Sequence, residues 1–333
     1  KIEVNPLEKV KNNIIWVVAV ASIFVVVAIY TILIKMFRLN FIYLILEDPT
    51  GFLLSTLLIF IAETMKIFRL RFIFNKLKVK VSLKTLFLSR FMGDFMGLIT
   101  VSNIGSEPTR IATIVSLEGI PIQIAISSGL LETFYDSIIL TAIAFVGSIV
   151  FFPTSILVLI STLITISLWL FIFLGFVLKE NILVKIVGKL FKKRLTPKIF
   201  GIFLEKYKDF RDLVKKGISS EINKGAILYT IFIIIIYVFS FLVLDPSYDL
   251  SLINVINGLF AYSMSYSVQL YPTPGGSGFF EYALIISTGV ANAMIWRLSY
   301  IFVSIIPAAF SMVFFVKLRS IFKENFKRSL EYV

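Results

Sequence analysis

The sequence predicts an all-α polytopic membrane protein, with about six full transmembrane helices and two broken or re-entrant helical hairpins of opposite orientation. Three observations support this fold class. Hydrophobic residues make up 58% of the 333 residues and the mean hydropathy is +0.93, values that a water-soluble surface does not reach. Most Lys and Arg residues stand in blocks beside long apolar stretches. Two further apolar stretches are interrupted by Pro, Gly and charged residues.

Six apolar stretches are long enough to cross the hydrocarbon core of a bilayer, which takes about 20 helical residues. In chain order they cover residues 14–34, 52–74, 120–152, 155–178, 226–244 and 295–316. The first has no small-residue cleavage site after it and is interpreted as a retained anchor. We therefore predict one integral membrane domain over residues 1–333.

The distribution of charge gives the orientation of these spans. Lys and Arg are concentrated at the N-terminus and in residues 66–84, 179–224 and 317–328, and such blocks remain on the cytoplasmic side. Both termini are therefore predicted to be cytoplasmic, in a multi-pass protein of the plasma membrane. The formal net charge of +13 follows from this topology, so we expect no nucleic-acid partner. The block at 179–224 is predicted to lie on the membrane surface as an amphipathic segment, with partner docking as the alternative.

Residues 85–116 and 251–292 are apolar but broken by polar runs, and neither resembles an ordinary span. Each must contribute an even number of crossings if the other spans are to keep their orientation. The first then enters from the cytoplasm and the second from the outside, whether they are re-entrant or full pairs of spans. Opposed broken hairpins are typical of an inverted repeat, with the binding site where their tips meet near the midplane.

The first break is centred on residues 102–110, which read Ser-Asn-Ile-Gly-Ser-Glu-Pro-Thr-Arg. Ser106 is predicted to cap a helix that starts beside Pro108, so that the first amide groups of this helix face the break. A helix N-terminus of this kind favours anions. Arg110 adds a planar guanidinium group suited to bidentate contact with phosphate.

The second break covers residues 272–278, Pro-Thr-Pro-Gly-Gly-Ser-Gly, and is followed by Glu281. Gly275 and Gly276 permit close approach of the backbone, and Ser277 is predicted to open the helix that carries Glu281. Backbone groups that leave a helix at membrane depth must be buried in protein or line a wet cavity. The run therefore indicates an interior site.

Further charges stand inside apolar sequence. Glu132 and Asp136 are four residues apart and share one face of a helix, and Arg297 lies in the first turn of the last span. Because a charge at the bilayer centre costs at least a few kcal/mol, these side chains are expected to face the protein interior. Structural ion pairs, for example between Glu281 and Arg297, are the alternative to a binding role.

Two other groups of residues are open to more than one interpretation. Glu63 and Asp94 are weaker candidates, since both can lie near the cytoplasmic interface beside Lys66 and Arg90. Four tyrosines can line a head-group pocket or belong to an aromatic belt or the core, namely Tyr262, Tyr266, Tyr271 and Tyr282. The absence of Cys and His weakens most hydrolytic and metal-dependent chemistries, and we predict no cofactor and no metal site.

The motifs occur in a fixed order: Gly105-Ser106-Glu107-Pro108-Thr109-Arg110, then Glu132 and Asp136, then the Pro/Gly run with Glu281, then Arg297 and Tyr300. In this order they resemble the lysylphosphatidylglycerol synthase/flippase transmembrane family. The strong similarity of motifs covers residues 85–140 and 260–305. The resemblance implies an integral membrane domain that moves a lipid head group between leaflets. Only the flippase domain is expected here, without the soluble aminoacyl-transferase domain of the bifunctional members.

The primary hypothesis is a lipid flippase or transporter rather than an enzyme. Its partner would be a membrane lipid with an anionic phosphate head group, either a phospholipid or a lipid-linked group that is aminoacylated, glycosylated or attached to polyprenyl phosphate. Homo-oligomers are compatible with the sequence. A membrane-embedded transferase acting on a polyprenyl phosphate and a scaffold without transport are the alternatives. The predicted substrate-binding residues are Gly105, Ser106, Glu107, Arg110, Glu132, Asp136, Gly275, Gly276, Ser277, Glu281 and Arg297.

Overall fold

In the computed structural model of the protein, the structure describes residues 45–173, 220–245 and 250–317, together with residues 31, 35 and 212. These residues are predominantly helical, and a short 3₁₀ turn at Val268–Leu270 follows α7. The described helices are α1 (Pro49–Lys76), α2 (Leu83–Ile99), α3 (Ser106–Glu118), α4 (Ile122–Val150), α5 (Ile156–Phe173), α6 (Ser220–Leu242), α7 (Leu252–Ser267), α8 (Phe279–Thr288) and α9 (Val290–Lys317).

Four of the described helices, α1, α4, α6 and α9, are long and apolar enough to cross a membrane. They correspond to four of the six predicted spans, and the prediction of a helical membrane protein is confirmed. The fourth predicted span, 155–178, is described as α5 as far as residue 173. The predicted span 14–34 lies outside the described residues except for residue 31, as do residues 179–219 of the predicted surface segment other than residue 212.

Two spans, α6 and α9, begin at least five residues earlier than the hydropathy pattern predicts. The predicted surface segment was extended to residue 224, but residues 220–224 form the first turn of α6. Similarly, α9 begins at Val290, five residues before the apolar stretch that predicts it. At α6 the helical backbone continues into polar sequence, because helix hydrogen bonding does not require an apolar side chain.

The first broken segment consists of α2 and α3, joined by residues 100–105. Ser102 and Asn103 have positive φ angles of 53° and 57°, which turn the chain sharply. The prediction that Ser106 caps α3 is wrong. Ser106 is the first helical residue, Gly105 occupies the cap position, and the Gly105 amide donates to Thr100 Oγ1 at 2.9 Å.

The second broken segment consists of α7, the 3₁₀ turn and α8. The prediction that Ser277 opens the second helix is also wrong, because α8 begins two residues later at Phe279. The amide of Gly278 donates to the carboxylate of Glu281 at 2.5 Å, so that the helix is capped by an acidic side chain of its own first turn. Ser277 instead belongs to a turn, in which its amide donates to the carbonyl oxygen of Pro274 at 2.9 Å.

The two breaks meet tip to tip through main-chain hydrogen bonds. The Ser102 amide donates to the Thr273 carbonyl and the Gly275 amide donates to the Thr100 carbonyl, each at 3.0 Å. Asn103 Nδ2 adds a side-chain hydrogen bond to Gln269 Oε1 at 3.1 Å. Contact between the two tips, which the inverted-repeat hypothesis requires, is therefore present, and it satisfies backbone groups that neither helix can satisfy.

Gly275 lies where the second broken segment closely approaches the backbone of α2. Its φ of +56° favours glycine, and a Cβ atom added there would be 2.9 Å from the carbonyl oxygen of Leu98 in α2. The contact atom belongs to the backbone and cannot move without displacing the helix.

We expect Gly275→Ala to destabilise the protein by about 1–3 kcal/mol, because it adds a steric clash to an unfavourable backbone conformation. The measurement is the unfolding midpoint of the purified protein in detergent. Gly258→Ala in α7 is the matched control, since its added Cβ would meet no atom closer than 3.4 Å. Equal stability of the two variants would contradict the prediction.

Candidate functional site

A cavity of about 150 Å³ lies beside the tip-to-tip contact and is large enough for several water molecules or a small polar group. Asn103 and Gln269 of the tips contribute to its wall, and so does Ser106 at the N-terminus of α3. We call it the charged cavity after its ionisable lining residues, which are Lys66, Arg90, Asp94, Glu107, Arg110, Glu132 and Asp136.

Arg69 of α1 lies behind this lining and holds two carboxylates of α4. It donates two hydrogen bonds to Asp136, one of them at 2.7 Å, and one to Glu132 at 3.1 Å. It also donates to Thr230 Oγ1 of α6 at 2.7 Å. The Arg69 side chain is fully buried, so these contacts supply the compensation that a buried guanidinium group requires.

Arg110 of α3 is shared between two carboxylates. It pairs with Glu107 of its own helix at 2.5 Å, and it forms a short ion pair with Glu132 of α4. Glu132 thus lies between Arg69 and Arg110 and joins α1, α3 and α4. Of the two carboxylates that pair with Arg110, Glu107 is the more accessible, since 38% of its side chain is exposed.

A third group of ion pairs is centred on Glu63 of α1. Arg90 of α2 pairs with Glu63 at 2.7 Å and with Asp94 at 3.1 Å. Lys66 pairs with Glu63 at 2.9 Å and donates to the hydroxyl of Tyr237, which itself donates to Glu63. Glu63 is 1% exposed and Asp94 is 8% exposed. Both carboxylates are therefore buried in protein and pair with Arg90, beside which the sequence placed them.

These ion pairs together bring four cations to five carboxylates among the described residues. When all are ionised, the group carries one excess negative charge. Every arginine in it already has a carboxylate partner.

Arg297 and Glu281 do not line the charged cavity. They form a buried ion pair at 2.9 Å, and Arg297 also donates to the carbonyl oxygen of Gly275 at 3.1 Å. The Arg297 guanidinium stacks over the Phe280 ring at 4.0 Å. This is the arrangement of the structural ion pair that the sequence left open, and it fixes the second break to α9.

The other predicted residues divide into those that line the charged cavity and those that do not. Ser106, Glu107, Arg110, Glu132 and Asp136 line the charged cavity, whereas Gly105, Gly275, Gly276 and Ser277 form the breaks without lining it.

The four tyrosines also form two groups, of which only one lines the charged cavity. Tyr262 and Tyr266 line the cavity, beside an aromatic cluster that includes Trp296. Tyr271 donates to the carbonyl oxygen of Leu157, and Tyr282 donates to that of Thr154.

Comparison with known proteins identifies one family. The family model of the lysylphosphatidylglycerol synthase TM region matches residues 13–308, which is most of the chain. The protein belongs to this family. No curated protein and no solved structure matches the chain significantly. The match confirms the resemblance on which the lipid hypothesis depends and includes every described residue of the charged cavity.

Sequence reasoning about this family member missed Arg69 and assigned Lys66 to a cytoplasmic basic block. In the structure both side chains are buried in the protein, since Lys66 is 7% exposed and Arg69 is 0% exposed. A signal for the interior position was present, since Glu63, Lys66 and Arg69 are spaced three residues apart in a largely apolar helix. Such spacing places successive side chains within reach of one another.

Replacing Arg69 by Met is expected to destabilise the protein by about 3–5 kcal/mol, because it leaves buried carboxylates without their cation. A second change, Asp136→Asn, is expected to restore part of the loss. The measurement is unfolding of the reconstituted or detergent-solubilised protein. Arg71→Met is the matched control, because Arg71 lies two residues away on the same helix and is exposed. If Arg69→Met and Arg71→Met are equally stable, the buried pairing has no energetic role.

Proposed function

We propose that the protein is a flippase that moves a lipid with a phosphate head group between the leaflets of the plasma membrane, and that it acts as a transporter rather than an enzyme. The observation that carries the proposal is the charged cavity itself. Ionisable groups are costly within a membrane and are typically found where a polar species binds or passes. The membership of a lipid-related family supports a lipid as that species.

The geometry supports an exchange mechanism at Arg110. The partly exposed Glu107 is the partner that a phosphate group can replace, while Glu132 retains its pair with Arg110 and Arg69. A planar guanidinium group can bind phosphate through two parallel hydrogen bonds. The released Glu107 carboxylate is then free to contact a cationic part of the head group, such as the amine of an aminoacylated lipid.

The topology proposed with this function has opposed re-entrant hairpins that meet near the bilayer midplane, with both termini in the cytoplasm. The tip-to-tip hydrogen bonds support it, because they give the backbone at each break a partner inside the protein. A head group bound in the charged cavity would then lie between the two leaflets. Assembly into homo-oligomers is compatible with this arrangement.

The proposal is tested with the full chain in liposomes that contain fluorescent phosphatidylglycerol, whose transfer between leaflets is followed by dithionite bleaching. Arg110→Gln is expected to slow transfer roughly tenfold or more, because a charge-assisted hydrogen bond contributes about 1.5–3 kcal/mol. Arg71→Gln is the control with the same change at an exposed site. Transfer at the wild-type rate by Arg110→Gln would contradict the proposal.

Glu107→Gln provides a second variant that is expected to remain folded, since its side chain is partly exposed. It frees Arg110 from one competitor, so native mass spectrometry should show stronger retention of phosphatidylglycerol than in the wild type. Weaker or unchanged retention would refute the exchange at Arg110. Metal-dependent chemical conversion of the lipid would instead favour a transferase.

A further inference from the structure

A second cavity, of about 400 Å³, opens between α4 and α5. Its walls are largely apolar side chains, and exposed positions on both helices leave it open along its length. We call it the α4–α5 groove. The residues that matter for its chemistry are Ser137, Ile138, Thr141 and Ala142 of α4, and Trp169 and Leu170 of α5.

The groove and the charged cavity are lined by neighbouring residues. Asp136 lines the charged cavity and the next residue of α4, Ser137, lines the groove. The Ser137 hydroxyl is hydrogen-bonded at 3.1 Å to the hydroxyl of Tyr266, which lines the charged cavity. A polar site and an apolar groove therefore adjoin across one hydrogen bond.

One threonine in the wall of the groove has a buried hydroxyl with an unused hydrogen bond. Among the described residues, Thr141 is 2% exposed and its hydroxyl has no hydrogen-bond partner. Several other threonines of the described helices donate to the carbonyl oxygen four residues earlier, among them Thr64, Thr113 and Thr230. A buried hydroxyl left without a partner is costly, so an acceptor from a bound molecule would fit this position.

We propose that the α4–α5 groove binds an ester-linked acyl chain of the lipid whose head group enters the charged cavity, with the Thr141 hydroxyl donating to an ester carbonyl oxygen. This inference rests on the proposed function, because it assigns the apolar part of the same lipid. The groove supplies apolar walls for the chain, and Thr141 supplies the donor that a carbonyl requires. The Ser137–Tyr266 hydrogen bond lies where the glycerol would connect the two sites.

The test uses phosphatidylglycerol with a diazirine at the end of one acyl chain, incorporated into liposomes that contain the full chain. Cross-linked peptides are identified by mass spectrometry. In the wild type, labelling is expected on α4 and α5 beside the groove. Ala142→Trp, which fills the groove, is expected to reduce this labelling at least about fivefold. Ala309→Trp, at an exposed position of α9 outside the groove, is the matched control and should label like the wild type.

A second variant removes the hydroxyl without changing the shape of the groove. Thr141→Val is expected to reduce groove labelling about fivefold, as the loss of one hydrogen bond predicts. Labelling that is equal in the wild type, Ala142→Trp and Thr141→Val would overturn the inference, and so would a protein cross-linker that joins the groove to a second copy of the chain.

Lipid transfer separates this inference from the proposed function. If Arg110→Gln blocks transfer while Ala142→Trp and Thr141→Val keep both the groove labelling and the transfer rate of the wild type, the flippase proposal stands and the acyl-chain site is refuted. If groove labelling is lost in Ala142→Trp but the wild type transfers no lipid, the acyl-chain site stands and the flippase proposal is refuted.

Discussion

The structure depends on the ion pairs that Glu132 makes with Arg69 and Arg110. Inside a membrane the hydrophobic effect does not drive one helix toward another, because lipid tails are as apolar as the helix surface. Buried opposite charges hold helices together there, since separating them would leave each charge in an apolar surrounding. Glu132 of α4 therefore holds α1 through Arg69 and α3 through Arg110, and it fixes the position of the first break relative to the long spans.

Much of the helical framework could be predicted from the sequence, because a membrane span is recognised by apolar length alone. The predictions for α1 and α4 differ from the structure by a few residues at each end. The errors lie where local hydrogen bonding decides the boundary. Ser106 was expected to cap α3 and Ser277 to open α8. The Gly105 amide instead donates to Thr100 and the Gly278 amide to Glu281, and the two helices begin at Ser106 and Phe279.

The candidate site was predictable in its residue types and only partly in its pairing. Glu107, Arg110, Glu132 and Asp136 were recognised because each interrupts apolar sequence. Arg69 was not, because it lies near the basic end of a span, and the positive-inside rule counts cations without saying which way they point. Ion pairs between helices that are distant in sequence, such as α1 and α4, are identified only from the three-dimensional structure.

The walls of the charged cavity differ in the free energy needed to separate them. At the tips, the two broken segments are joined by a few neutral hydrogen bonds, each worth about 1 kcal/mol. At the carboxylates of α4, separating α1 from α4 would leave the fully buried Arg69 guanidinium group without its carboxylate partners. The contact between the two tips is consequently easier to open than the contact between α1 and α4. Any widening of the cavity that keeps the long spans packed together would begin at the glycine-rich tip.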